Sequence, residues 1–211
     1  MRRLFFTLIF IFGAAFAPAQ AQDISALAAQ GPGQNLISDA AGSQMVSAWG
    51  ASIARPGNIR GSYLWSAATM KALLATPGAA EVRFHLALNS SCDFTIHPEV
   101  LDANGNSLAW GPVDVASGIS ITAATAQANS ASWAATKMKP INAPNSLTYP
   151  ASAFAWLLSL PGAAQLRLSP GINNSGNLTL VGQALDASGT PITTSNAIAT
   201  IDGGTPCPPA C

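Results

Sequence analysis

Apolar and polar residues alternate with a period of two over 81–88 and again over 94–100. With Leu88 facing Phe94 across the loop Asn89 to Asp93, Val82, Phe84, Leu86, Leu88, Phe94, Ile96 and Val100 share one side. Glu81, Arg83, His85, Thr95, His97 and Glu99 then share the other, as a half-buried antiparallel hairpin requires. A second hairpin turns Leu166, Leu168, Ile172, Leu178 and Leu180 inward. The turns Asp102-Ala-Asn-Gly105 and Asp186-Ala-Ser-Gly189 follow, each with a glycine free to take a positive φ. Upstream, Met45, Trp49 and Ile53 recur every fourth residue, which predicts a helix capped by Ser38 and stopped by Pro56. A matching helix is predicted after Thr122, around Trp133. Two further helices are predicted from near Ser66 (Ala67, Met70, Leu74) and near Pro150 (Ala151, Phe154, Leu158), ended by Pro77-Gly78 and Pro161-Gly162.

These elements come in pairs because the chain resembles itself. At a shift of 84 residues, 37–108 matches 121–192 without a gap, with 22 of 72 positions identical. Trp49 meets Trp133, Pro77-Gly-Ala-Ala80 meets Pro161-Gly-Ala-Ala164, and Arg83 meets Arg167. Low complexity explains matched alanines but not these, so the pattern reads as a tandem duplication. The expected fold is α+β, two tandem pseudo-two-fold repeats, each helix–helix–β-hairpin, sharing one core because a unit this short buries little alone. The expected organisation is a signal peptide (1–21), an N-terminal leader (22–36), repeat 1 (37–108), a linker (109–120), repeat 2 (121–192) and a C-terminal tail (193–211).

The first 21 residues change the setting. Arg2 and Arg3, the apolar run Leu4 to Phe12 broken only by Thr7, and Ala19-Gln20-Ala21 form an export signal with a small-x-small cleavage site. The run is too short for a membrane span of about 20 apolar residues. The mature protein is therefore expected to be periplasmic or extracellular, with no membrane span once the signal is removed. Nine basic and nine acidic residues balance, and losing Arg2 and Arg3 makes the mature chain mildly acidic. That excludes an electrostatic nucleic-acid binder, which needs a clustered basic surface.

Candidate chemistry concentrates on the first hairpin. His85 lies opposite His97 with Cβ atoms about 5 Å apart, and Arg83 lies opposite Glu99. His85, His97 and Glu99 form a possible zinc or copper set, since neutral imidazole suits those ions. The His pair also fits general acid–base work. The same residues equally fit a solvated or helix-covered sheet face, with Arg83–Glu99 an ordinary cross-strand ion pair. Across the copies His85 faces Ser169, His97 faces Val181 and Glu99 faces Gln183, so the first hairpin reads as the specialised surface. No dinucleotide loop, P-loop or nucleophile elbow occurs. The chain reads as a non-enzymatic binding or interaction module for an unknown protein or small ligand, and as a metal-binding protein or metalloenzyme in the alternative.

The pieces Leu73-Leu74-x-x-Pro77-Gly78, Leu157-Leu158-x-x-Pro161-Gly162, the Arg83 and Arg167 strands and Asp102-Ala-Asn-Gly-Asn106 resemble a group of short bacterial proteins of uncharacterised activity. Those carry a helix, LLxxPG, an IRxY strand, a VxVDxxGN strand and sometimes a CPPxC tail, which Cys207-Pro-Pro-Ala-Cys211 matches. The resemblance implies an α+β module and no substrate. Three cysteines suit an oxidising compartment. Cys207 pairs either with Cys211 or with Cys92, and a redox role for the tail is a third option.

Overall fold

The computed structural model describes residues 21–51, 61–116, 118–136, 143–194, 197–198, 200–201 and 205–207. The chain is a mixed α+β protein. α1 (Ile24–Ala29) and β1 (Leu36–Ile37) precede α2 (Asp39–Ala51), β2 (Tyr63–Ser66) and α3 (Ala67–Leu74). The first hairpin, β3 (Glu81–Leu88) and β4 (Phe94–Leu101), is followed by short strands β5 (Ser107–Trp110), β6 (Val113–Asp114) and β7 (Ile119–Ser120). α4 (Ala123–Ala135), β8 (Ser146–Pro150) and α5 (Ala151–Ser159) lead to the second hairpin, β9 (Gln165–Ile172) and β10 (Leu178–Leu185). β11 (Thr193–Thr194), β12 (Ala197–Ile198), β13 (Thr200–Ile201) and β14 (Thr205–Cys207) end the described chain.

Local signals set the helix starts. Ser38 Oγ accepts from the Ala41 amide at 3.2 Å, and Thr122 Oγ1 accepts from the Thr125 amide at 3.2 Å. Ser66 caps α3 through the Thr69 amide at 3.0 Å, while α5 starts directly after Pro150. The hairpin registers follow the alternation. Leu88 pairs with Phe94, His85 with His97 and Arg83 with Glu99. Ile172 pairs with Leu178, and Arg167 with Gln183.

The helix–helix–hairpin expectation lacks a strand in each half. β2 and β8 run between the helices, and neither pairs with the hairpin that follows it in sequence. β2 pairs with β9 (Tyr63 opposite Leu168, Ser66 opposite Gln165), whereas β8 pairs with β3 (Leu147 opposite Phe84, Pro150 opposite Glu81). The helices cross with their strands: α2 packs on β9 and β10, and α4 packs on β3. Two backbone bonds repeat the exchange, Ala67 N–H to the Ala164 carbonyl at 2.8 Å and Ala151 N–H to the Ala80 carbonyl at 2.9 Å.

The result is two five-stranded sheets, ordered β1-β13-β10-β9-β2 and β14-β8-β3-β4-β5. The segment expected as a tail thus supplies β13 and β14, one strand to each sheet. The expected linker contains the β6–β7 pair, and the expected leader contains α1, which packs on α5. Apolar faces of both sheets meet in a hydrophobic cluster. Phe84 of β3 lies 6.2 Å from Trp65 of β2, 5.9 Å from Tyr149 of β8 and 5.1 Å from Phe154 of α5, centroid to centroid. Two hydroxyls bridge the sheets: Tyr63 donates to the Phe94 carbonyl at 3.2 Å and Tyr149 to the Leu180 carbonyl at 2.7 Å.

Among the described residues no helix is long and apolar enough to cross a membrane, and no disulfide forms. Residues 1–20 and Cys211 lie outside the described residues, and with them most of the expected signal peptide and the Cys207–Cys211 option. Cys92 is exposed in the β3–β4 loop at a φ of 60°.

Candidate functional site

The polar side of each hairpin lies under a helix, α4 on the first and α2 on the second. On the first hairpin the polar side takes the helix-covered form of the two that the alternation allowed. Thr95, His97 and Glu99 are all buried, because α4 lies over this face. A helix-covered polar face must pair its groups internally, since each unmade bond there carries a desolvation cost.

It largely does so. His85 Nε2 and Glu99 Oε2 are 2.8 Å apart, and Arg83 Nη1 lies 3.7 Å from the same oxygen. The His85 ring stacks on Trp110 of β5, with centroids 4.6 Å apart and planes at 25°. Burial opposes charge on Glu99, but hydrogen bonds from His85 and Ser107, with the charges of His85 and Arg83, hold its pKa below the usual range. His97 meets Asn129 of α4, its Nε2 lying 3.2 Å from the amide nitrogen, while its buried Nδ1 has no hydrogen-bond partner among the described residues. Burial pushes the His97 pKa down to about 4, with nearby Asp114 opposing and His85 reinforcing the shift. Asp114 is itself buried, accepting from Thr95 Oγ1 at 2.5 Å and from the Ala116 amide at 3.1 Å.

The structure therefore joins His85 to Glu99 and Arg83, as the register implies, but engages His97 separately with α4. Among the described residues no three His, Cys, Asp or Glu side chains are placed to hold a metal ion. The residues of the expected His85–His97–Glu99 set instead engage other partners: Glu99 meets His85 Nε2, Trp110 stacks on the His85 ring, and Asn129 faces His97 Nε2. Asn129, Trp110, Ser107 and Asp114 escaped the sequence reading because they reach this face from elements outside the hairpin, α4, β5 and β6.

The second hairpin face is built differently. Ser169 stands where the first face has His85, Val181 where it has His97, and Gln183 where it has Glu99. α2 closes on this face through Met45, against Gly171, in the position that Asn129 takes on α4. The smaller side chains leave a cleft of about 470 Å³ between α2, β9 and β10. Asp39, Ser43 and Ser47 line it from α2, Arg167 and Ser169 from β9, and Gln183 from β10. Gln183 Oε1 accepts from Arg167 Nε at 3.2 Å and also from Nη2, and Gln183 Nε2 donates to Asp39 Oδ1 at 3.3 Å. No carboxylate lies within ion-pair distance of Arg167 among the described residues, whereas Arg83 has Glu99.

The surface singled out by its reactive residues is thus filled, and the place its counterpart vacates is open. The signal for the cleft was the same set of substitutions, His85 to Ser169 and Glu99 to Gln183, taken as a loss of volume and of negative charge. No protein-family model, curated protein or solved structure matches this chain.

Proposed function

We propose that this protein is an exported, non-enzymatic binding module of two tandem copies related by an approximate two-fold, whose ligand site is the cleft under α2. The observation that carries the binding site is Arg167, charged and without a carboxylate partner among the described residues, in an open cleft at the strand position where Arg83 has Glu99 as its ion-pair partner. A charged side chain placed in a concave site can fix the orientation of an exogenous ligand. Support for the duplication comes from the element bounds, since Asp39–Ala51 and Ala123–Ala135, and Glu81–Leu88 and Gln165–Ile172, recur at the spacing of the sequence match. Export rests on the Arg2-Arg3 leader with its Ala19-Gln20-Ala21 cleavage site. The resemblance to the short bacterial CPPxC proteins belongs with that reading.

The binding reading is tested by an NMR fragment screen of the full mature chain with neutral, cationic and anionic small molecules. Signals of Arg167, Ser169 and Gln183 are expected to move while those of His85 and His97 stay still. Hits confined to the first hairpin, or none at the cleft, overturn it. Export is tested by N-terminal sequencing of the purified protein, which is expected to begin at Gln22; an intact Met1 refutes cleavage.

A further inference from the structure

We infer that the cleft takes a small aliphatic monocarboxylate bearing hydroxyl groups, an inference that rests on the binding-module reading above. A guanidinium presents planar N–H pairs that match a carboxylate. Gln183 engages Arg167 through Nε and Nη2, which orients the group and leaves the Nη1 hydrogens uncommitted among the described residues. The first hairpin shows what an arginine at this strand position accepts, because Arg83 meets the carboxylate of Glu99 there. On the second face Gln183 stands in place of Glu99, and the nearby Asp39 carboxylate bonds Gln183 rather than Arg167, so the carboxylate for Arg167 is assigned to a ligand.

The rest of the lining narrows the class. Asp39 lies in the same cleft, so a second negative charge on the ligand meets repulsion, which favours a monoanion over phosphate or a dicarboxylate. Ser169 is only 8% exposed, and its hydroxyl makes no hydrogen bond among the described residues. Open to the cleft, that hydroxyl is placed to bond a ligand oxygen that both donates and accepts. Ser43 and Ser47, one turn apart on α2, add hydroxyls across the cleft. None of the described lining residues is aromatic, which removes the stacking surface an aromatic acid needs. A cleft of about 470 Å³ accommodates a short hydroxy acid.

The test is titration of the full mature chain with glycerate, glyceramide and malonate, followed by NMR and calorimetry. Glycerate is expected to move the Arg167 and Ser169 signals saturably, binding about tenfold or more tighter than glyceramide or malonate. Gln183→Glu, which gives Arg167 the carboxylate that Arg83 already has, is expected to abolish this binding with the fold intact; Arg167→Gln is expected to do the same. Glyceramide or malonate binding as tightly as glycerate, or undiminished binding by Gln183→Glu, overturns the monocarboxylate assignment while leaving a ligand cleft in place. Failure of all three probes to move cleft signals overturns the assignment, and the fragment screen then decides separately whether the cleft binds anything.

Discussion

The Tyr149 hydroxyl donates to the Leu180 carbonyl at 2.7 Å and accepts from the amide of the same residue at 3.2 Å. Leu180 sits opposite Pro170, which has no N–H to offer the ladder, so a side chain from the other sheet serves a strand with a defect in its own pairing. Tyr149→Phe should cost about 1–3 kcal/mol, the range for stranding buried backbone groups. Tyr63→Phe, which removes a longer 3.2 Å bond to the Phe94 carbonyl, should cost less. Urea unfolding of the two variants decides; an equal or larger loss for Tyr63→Phe contradicts the bridging role given to Tyr149.

His97 makes stability depend on acid. Between its ordinary pKa of 6.5 and about 4, the unfolded chain holds a proton on this imidazole that the folded chain excludes. Stability therefore falls as pH drops from 6.5 towards 4, by on the order of 3 kcal/mol across that window. Glu99, with its depressed pKa, adds a loss of the same sign as pH falls further. The double variant His97→Val, Asn129→Met installs the apolar residues that stand 84 positions away in each case, Val181 and Met45. Its unfolding midpoint should change much less between pH 6.5 and 4 than that of the parent, and an unchanged slope would assign the acid sensitivity to another group.

Gly171 sets how closely α2 approaches β9. A Cβ there would sit 3.1 Å from Met45 Cβ and 3.3 Å from its backbone carbonyl carbon, so the helix itself must move. Gly171→Ala should destabilise by roughly 1–2 kcal/mol as overpacking. Chemical denaturation measures it, and a neutral result would mean that α2 is not seated on that strand.

Cys92 adopts φ 60° where the second hairpin has Gly176 at 77°. Left-handed backbone is unfavourable for a residue with a Cβ, and more so for a β-branched one. Cys92→Gly should therefore be neutral or stabilising by up to about 1 kcal/mol, while Cys92→Val should destabilise. Thermal melts rank the three, and a Cys92→Val protein as stable as the parent would sink the strain argument.

The hairpin registers were legible because Val82, Phe84 and Leu86 alternate with polar neighbours over enough residues to exclude a slipped pairing. The helix starts were legible at Ser38, Ser66 and Thr122 because capping is a local interaction. β2 was not, since Tyr63-Leu-Trp-Ser66 is four residues long and abuts a helix. The covering of His97 was not legible either: alternation says which side chains share a face, while Asn129, 32 positions away on α4, determines whether that face meets water. For the same reason the histidines drew attention to the filled face, and the open one announced itself only through smaller, uncharged substitutes.

The crossing of β2 to β9 and of β8 to β3 makes each half an incomplete object. Expressed alone, one half would present a hairpin stripped of its flanking strand beside a helical arm with nothing to grip. Two such fragments would have to clasp each other, as the connected halves do here. Cleaving the chain between Leu108 and Ile121 would thus leave the pieces entangled rather than release two folded parts. Because the pairings that complete either sheet span long stretches of chain, assembly should be slow and all-or-none.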